Sequence, residues 1–120
     1  MDRGQSIILG IAALWGLAGV IMLAAGSHPP QVGLLATGGQ FLLFHAAVVL
    51  ALLNGQLLAG WRRAVPIALW LTGSGLFALE IVLHVVTGVA AFGLLAPIGG
   101  GLAILGWLVL AVAAFIQPKA

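Results

Sequence analysis

Four apolar stretches, each close to the ~20 residues that a helix needs to cross ~30 Å of hydrocarbon, take up most of this chain. They run from about Ile7 to Ala25, from Val32 to Ala59, from Val65 to Thr87 and from Leu94 to Ile116. Pro66 is expected in the first turn of the third stretch and Pro97 near the start of the fourth, where a missing amide does little harm. Lipid offers no partner for a bare N–H or C=O, so such segments must bond internally, as helices or as a closed barrel. None of the four alternates with the period of a strand, and helices are the expected answer. The expected fold is one all-α membrane domain, a bundle of four transmembrane helices.

Composition sharpens this. Hydrophobic residues make up 63% of the 120 residues and charged residues only 5%, against about 25% charged in a soluble domain. A surface of that kind cannot be wetted on all sides, so the lipid bilayer is the first expected partner. The net charge of +2 comes from Arg3, Arg62, Arg63 and Lys119 set against two acids. These four make no basic face along which phosphates could run, so no nucleic acid is expected. Without cysteine there is no disulfide, thiolate metal site or iron–sulfur cluster to expect. The first stretch exceeds the roughly 7–15 apolar residues of a signal-peptide core and is expected to be a retained helix.

The charges also predict topology. Arg3 precedes the first stretch, Arg62 and Arg63 lie between the second and third, and Lys119 follows the fourth. With four crossings these places share one side, and the other two connections hold no Lys or Arg. The excess of positive charge on cytoplasmic loops then predicts both termini and the arginine loop in the cytoplasm, and the expected location is the bacterial inner membrane. Trp61 is an expected interface anchor; Trp15, Trp70 and Trp107 are candidates for anchoring or for packing. Eighteen glycines suit helices that associate in lipid by close backbone approach. The small-xxx-small pairs Ala12/Gly16 and Gly99/Ala103, with Gly100 beside them, are the expected packing positions. No phosphate loop or dinucleotide fingerprint is present.

Glu80 and His84, in the stretch FALEIVLHVVTG (77–88), stand one helical turn apart and share a face. Gly73, Phe77, Glu80, His84 and Thr87 fall on one stripe, which is expected to face the bundle interior or a neighbouring subunit. The helical rise puts His84 ~5 Å and Glu80 ~10 Å below the boundary at Thr87. A lone ionised carboxylate in a membrane helix costs roughly 2.5–3.5 kcal/mol. Glu80 therefore needs a proton, its neighbour His84 or a bound cation. The same rise places Gln40 ~12 Å and His45 ~20 Å from the outer end of the second helix, with His28 in the outer loop. Three readings follow for Glu80, His84, His28, Gln40 and His45. They satisfy one another across helices; or His84, Glu80 and His28 hold a metal ion or haem; or Glu80 and His84 serve a quinone or proton-handling site. In a bis-histidine haem site, His28 with His84 is geometrically easier than His45 with His84.

Two passages carry a resemblance. GGQFLLFHAAVVLALL (38–53) resembles the Gln-x-x-x-x-His-Ala stretch of a family of small four-helix membrane proteins. LLAPIGGGLAILGWLVLAVAAF (94–115) is similar to that family's ending, Thr-Pro-x-Gly-Gly followed by a Gly-Trp helix. The family is the domain-of-unknown-function group numbered 423, which takes in relatives of the human transmembrane protein 256. The resemblance implies a four-helix integral membrane fold and offers no established activity. Gln40, His45, Pro97, Gly99 and Gly100 match its recurring positions. Departures from it include Pro29 in the first loop, where the family reads Gly-Ala-His-Gly, and the third helix, where it carries Ser-Gly-Ser-Leu-Tyr and this chain carries residues 78–82. On that resemblance Glu80 and His84 replace small or apolar positions, and the ionisable pair is expected to be a gain of this chain. The expected function is an accessory or structural role, in a homo-oligomer or a larger membrane complex, with the metal, haem or quinone roles as alternatives and no catalytic residue to name.

Overall fold

A computed structural model describes residues 1–28, 32–90 and 92–116. They form the helices α1 (Arg3–Gly26), α2 (Val32–Asn54), α3 (Trp61–Thr87) and α4 (Leu95–Phe115). All four are long and apolar enough to cross a membrane, and no strand is found among the described residues.

Glycine and proline chemistry explains where these helices begin and end. Asp2 caps α1: its Oδ1 accepts from the Gln5 amide at 2.8 Å while Gln5 Oε1 accepts from the Asp2 amide at 3.0 Å. This reciprocal box satisfies two amides at the helix start and extends α1 back to Arg3. The second helix stops at Asn54, short of the Ala59 expected from apolarity. Hydropathy counts Leu57 and Leu58 as more of the span, but Gly55 ends the helix, with Leu57 exposed and Leu58 folded into the core. Gly60, at φ 60°, is the N-cap of α3, a conformation glycine adopts at little cost. Its carbonyl accepts from the amides of Arg63 and Ala64. Consequently α3 starts at Trp61, and Pro66 is its sixth residue and fully buried, not a first-turn residue as its place in the apolar stretch suggests. The absent Pro66 amide leaves the Arg62 carbonyl without its helical donor. Gly88 closes α3 in the left-handed conformation, φ 75°, donating to the His84 carbonyl at 2.8 Å.

The helices pack as two antiparallel hairpins, α1 with α2 and α3 with α4, joined through α2 and α3; α1 only touches α3. Each hairpin closes on glycine backbone. A Cβ on Gly19 would lie 2.9 Å from the Gly39 carbonyl oxygen, and one on Gly39 would lie 2.7 Å from that of Gly19. In the second hairpin a Cβ on Gly73 would sit 2.5 Å from the Gly99 carbonyl oxygen, and the converse distance is also 2.5 Å. Gly106 leaves the space that the Trp70 indole fills. Of the expected packing positions, Ala12, Gly99 and Ala103 are buried. Gly16 makes only an ordinary contact with Leu43, and Gly100 faces open space. Trp15 ties α1 to α3 by donating to the Leu71 carbonyl at 2.8 Å.

Replacement of Gly73 by Ala is expected to destabilise the protein by ~1–3 kcal/mol, because its methyl meets backbone that cannot yield. Gly101→Ala, into open space, should leave the unfolding midpoint in detergent unchanged or higher. Equal behaviour of the two variants in thermal scans would contradict the glycine contact.

Candidate functional site

The α3 stripe is built as its spacing demands. Gly73 lies on the α4 backbone, and the Phe77 ring meets the Phe41 ring of α2 at 4.4 Å between centroids. Glu80, further along, is 8% exposed. Its Oε1 stands 4.0 Å from His84 Nδ1, within ion-pair range and beyond hydrogen-bond length. Among the described residues no hydrogen-bond donor reaches the carboxyl group. The His84 side chain is 37% exposed, so the pair runs from a buried carboxyl to an open imidazole. His84 also lies in the last turn of α3. Glu80 is two turns, ~10.5 Å, beyond Gly73, whereas α4 extends only ~6 Å from Gly99 back to Leu95. The carboxyl is therefore level with the α3–α4 connection, at the mouth of that hairpin.

His45 is placed quite differently. It is 7% exposed, inside the α2/α3/α4 contact. Nδ1 lies 2.7 Å from the Phe41 carbonyl oxygen, and Trp107 Nε1 donates to Nε2 at 3.2 Å. This network assigns the proton to Nδ1, leaving Nε2 the acceptor. Both ring nitrogens are thus committed. Phe41, Trp70 and Trp107 surround the ring, at centroid distances of 4.4, 6.5 and 6.1 Å. Trp70 and Ser74 are fully buried, and Trp70 Nε1 and Ser74 Oγ lack hydrogen-bond partners among the described residues.

The remaining sequence candidates do not converge on Glu80. Gln40 is exposed on the outside of α2, and His28 is exposed after α1. Among the described residues no three His, Cys, Asp or Glu side chains lie close enough to share a metal ion, so Glu80 and His84 meet as a pair without His28. At the opposite end of the bundle Arg62 donates to the Ile116 carbonyl at 3.1 Å and lies over the Trp61 ring at 5.3 Å. A cation on the carbonyl end of α4 is favourable. Lys119 lies outside the described residues. No pattern in the sequence signals the Arg62 cap, because residues 62 and 116 meet only through the fold.

The family model described as "Protein of unknown function (DUF423)" matches residues 9–100. The match runs from α1 to Gly100, the sixth residue of α4, and so takes in Gln40, His45, Glu80 and His84 but not Trp107. No curated protein and no solved structure matches the chain.

Trp107→Phe strips His45 Nε2 of its donor while keeping an aromatic ring. It is expected to lower the unfolding free energy by ~0.6–2 kcal/mol. Unchanged stability in detergent unfolding would show that this bond contributes nothing.

Proposed function

We propose, from the premise that this chain belongs to the DUF423 family, that it is an accessory, structural protein of the membrane that works as a homo-oligomer. The outward face of α2 carries this reading. Gly33, Thr37, Gln40, Phe44, Ala47, Ala51 and Asn54 are all exposed and recur at alternating intervals of four and three, the spacing of a helix–helix seam. All but Phe44 are small or polar. Gln40 lies well inside the span and makes no hydrogen bond among the described residues. An amide facing acyl chains is costly, whereas an amide facing a second amide is satisfied. Because Gln carries both donor and acceptor, two copies related by a two-fold axis pair reciprocally at Gln40. The small residues above and below let the backbones approach.

Bacterial inner-membrane residence with both termini in the cytoplasm belongs to the same proposal. Its support is the grouping of charge. Arg62 meets the end of α4, and Arg63 shares a cavity with Met1 and Gln5 at the start of α1. Antiparallel packing puts His28 at the other end, where Gly26 abuts Ala36. Positive charge gathered at one end is the cytoplasmic pattern.

A second reading rests on Glu80 and His84: a proton-handling site in the outer half of the membrane. A buried carboxyl beside a partly exposed imidazole at 4.0 Å gives a proton a way in. Infrared spectra across a pH series should then carry a carboxyl signal that vanishes in Glu80→Gln. If His84→Ala leaves the pH dependence of that signal untouched, the two groups share no proton and this reading fails.

The cysteine-free chain makes the main proposal simple to test. Ala47→Cys is expected to give disulfide-linked dimers in membranes, and Ile104→Cys on α4 to give none. Gln40→Leu should weaken the dimer by ~0.6–2 kcal/mol, a factor of roughly 3 to 30 in dissociation constant. Dimers that persist unweakened in Gln40→Leu, with no Ala47→Cys cross-link, would refute the α2 seam.

A further inference from the structure

The arginine end of the molecule holds a cavity whose lining differs from that of the grooves along the helix sides. Close contacts between α1 and α2, at Gly19/Gly39 and Gly26/Ala36, lie in the far half of that pair. Towards Arg63 a cavity of about 300 Å³ opens between the start of α1 and the end of α2. The grooves along the helix sides are lined almost wholly by apolar residues, as at Trp15, Met22, Leu42 and Val82. This cavity is divided: Gln5, Gln56 and Arg63 line it together with Leu9, Leu50 and Leu53.

The polar side has donors to spare. Among the described residues the Arg63 guanidinium makes no hydrogen bond or ion pair, whereas neighbouring Arg62 is engaged by Ile116 and Trp61. Gln5 spends its Oε1 on the Asp2 amide, leaving its Nε2 as a donor. Asp2, the nearest acid in sequence, is turned onto the Gln5 amide. Gln56 sits in the exposed connection after α2. The apolar side lies deeper: Leu9 is one turn into α1 from Gln5, and Leu50 and Leu53 line the final turns of α2. Polarity thus falls from the end of the bundle towards the membrane interior, as it does along an amphiphile with an anionic head. Basic pockets between membrane helices suit such heads, and the volume is at the lower end of ordinary ligand sites.

We propose that this cavity binds one anionic phospholipid, with its phosphate on Arg63 and the amide N–H groups of Gln5 and Gln56, and an acyl chain along Leu9, Leu50 and Leu53. The site meets the α2 seam at Asn54, which lines the cavity at the end of α2, and is separate from the Glu80–His84 pair.

Native mass spectrometry of the full chain, released from membranes containing phosphatidylglycerol and phosphatidylcholine in equal amounts, tests this directly. One phosphatidylglycerol is expected to be retained per chain in preference to phosphatidylcholine. Arg63→Gln should weaken retention by ~5-fold. Arg62→Gln, which removes the same charge outside the cavity, should leave it unchanged. Gln56→Leu lies outside every helix, so it keeps the fold and should weaken retention by a smaller factor. Soluble glycerol 3-phosphate should fail to displace the lipid. Equal retention of the two lipids would overturn the proposal. So would equal losses in Arg62→Gln and Arg63→Gln, which would mean general surface charge, or unaltered retention in both Arg63→Gln and Gln56→Leu. Displacement by glycerol 3-phosphate at the lipid's own concentration would assign the cavity to a free phosphate and overturn the lipid.

Discussion

Backbone meeting backbone at glycine is the contact on which the rest of this structure depends. In lipid, helices gain little by burying apolar side chains against one another, since acyl chains are as apolar as leucine. Dispersion between closely approached surfaces must do most of the work, and it falls steeply with a fraction of an ångström of separation. Gly19 with Gly39 and Gly73 with Gly99 bring two pairs of helices into that range. The indole of Trp70, which fills the space above Gly106, needs α3 and α4 at that spacing. The Phe41–Phe77 contact and the Trp15 bond to Leu71 then join one hairpin to the other.

Polar groups are treated one by one, and the treatment follows position. Asp2 caps a helix, Arg62 sits on the carbonyl end of another, and His45 has both nitrogens engaged. These groups bind the protein to itself. Glu80, Gln40 and Arg63 differ. Glu80 is buried beside an imidazole at 4.0 Å without a hydrogen bond among the described residues, Gln40 faces outward, and Arg63 borders a cavity. In a chain with 5% charged residues, the groups left over after internal bonding are where outside partners have most to offer.

Residue-level expectations met these facts unevenly, for physical reasons. Hydropathy measures preference for lipid and not helicity, so it ran α2 on through Leu57 and Leu58, where Gly55 had already ended the helix. It also started α3 at Val65, although Gly60 starts it at Trp61 and puts Pro66 inside. A spacing of four between small residues is necessary for close approach but not sufficient. It pointed to Gly16, which makes only an ordinary contact with Leu43, and passed over Gly19 and Gly39, which meet each other's backbone across helices. The Glu80 stripe was legible because period alone fixes which residues share a face. The outward turn of Gln40 was not, because both sides of α2 are apolar enough to face either lipid or protein.

Length and apolarity by themselves determined that four helices of membrane-crossing length form, since lipid leaves no other way to bond so much backbone without a sheet. They also determined that Glu80 and His84 are neighbours, a matter of turns along one helix. Tertiary structure alone decided which glycines touch, that His45 is claimed by Trp107, that Arg62 caps α4 and Arg63 does not, and that Gln40 looks outward. Those outcomes depend on the rotation of each helix about its axis relative to the next. That rotation is set by the shapes of two surfaces in contact, which no single helix carries within its own sequence.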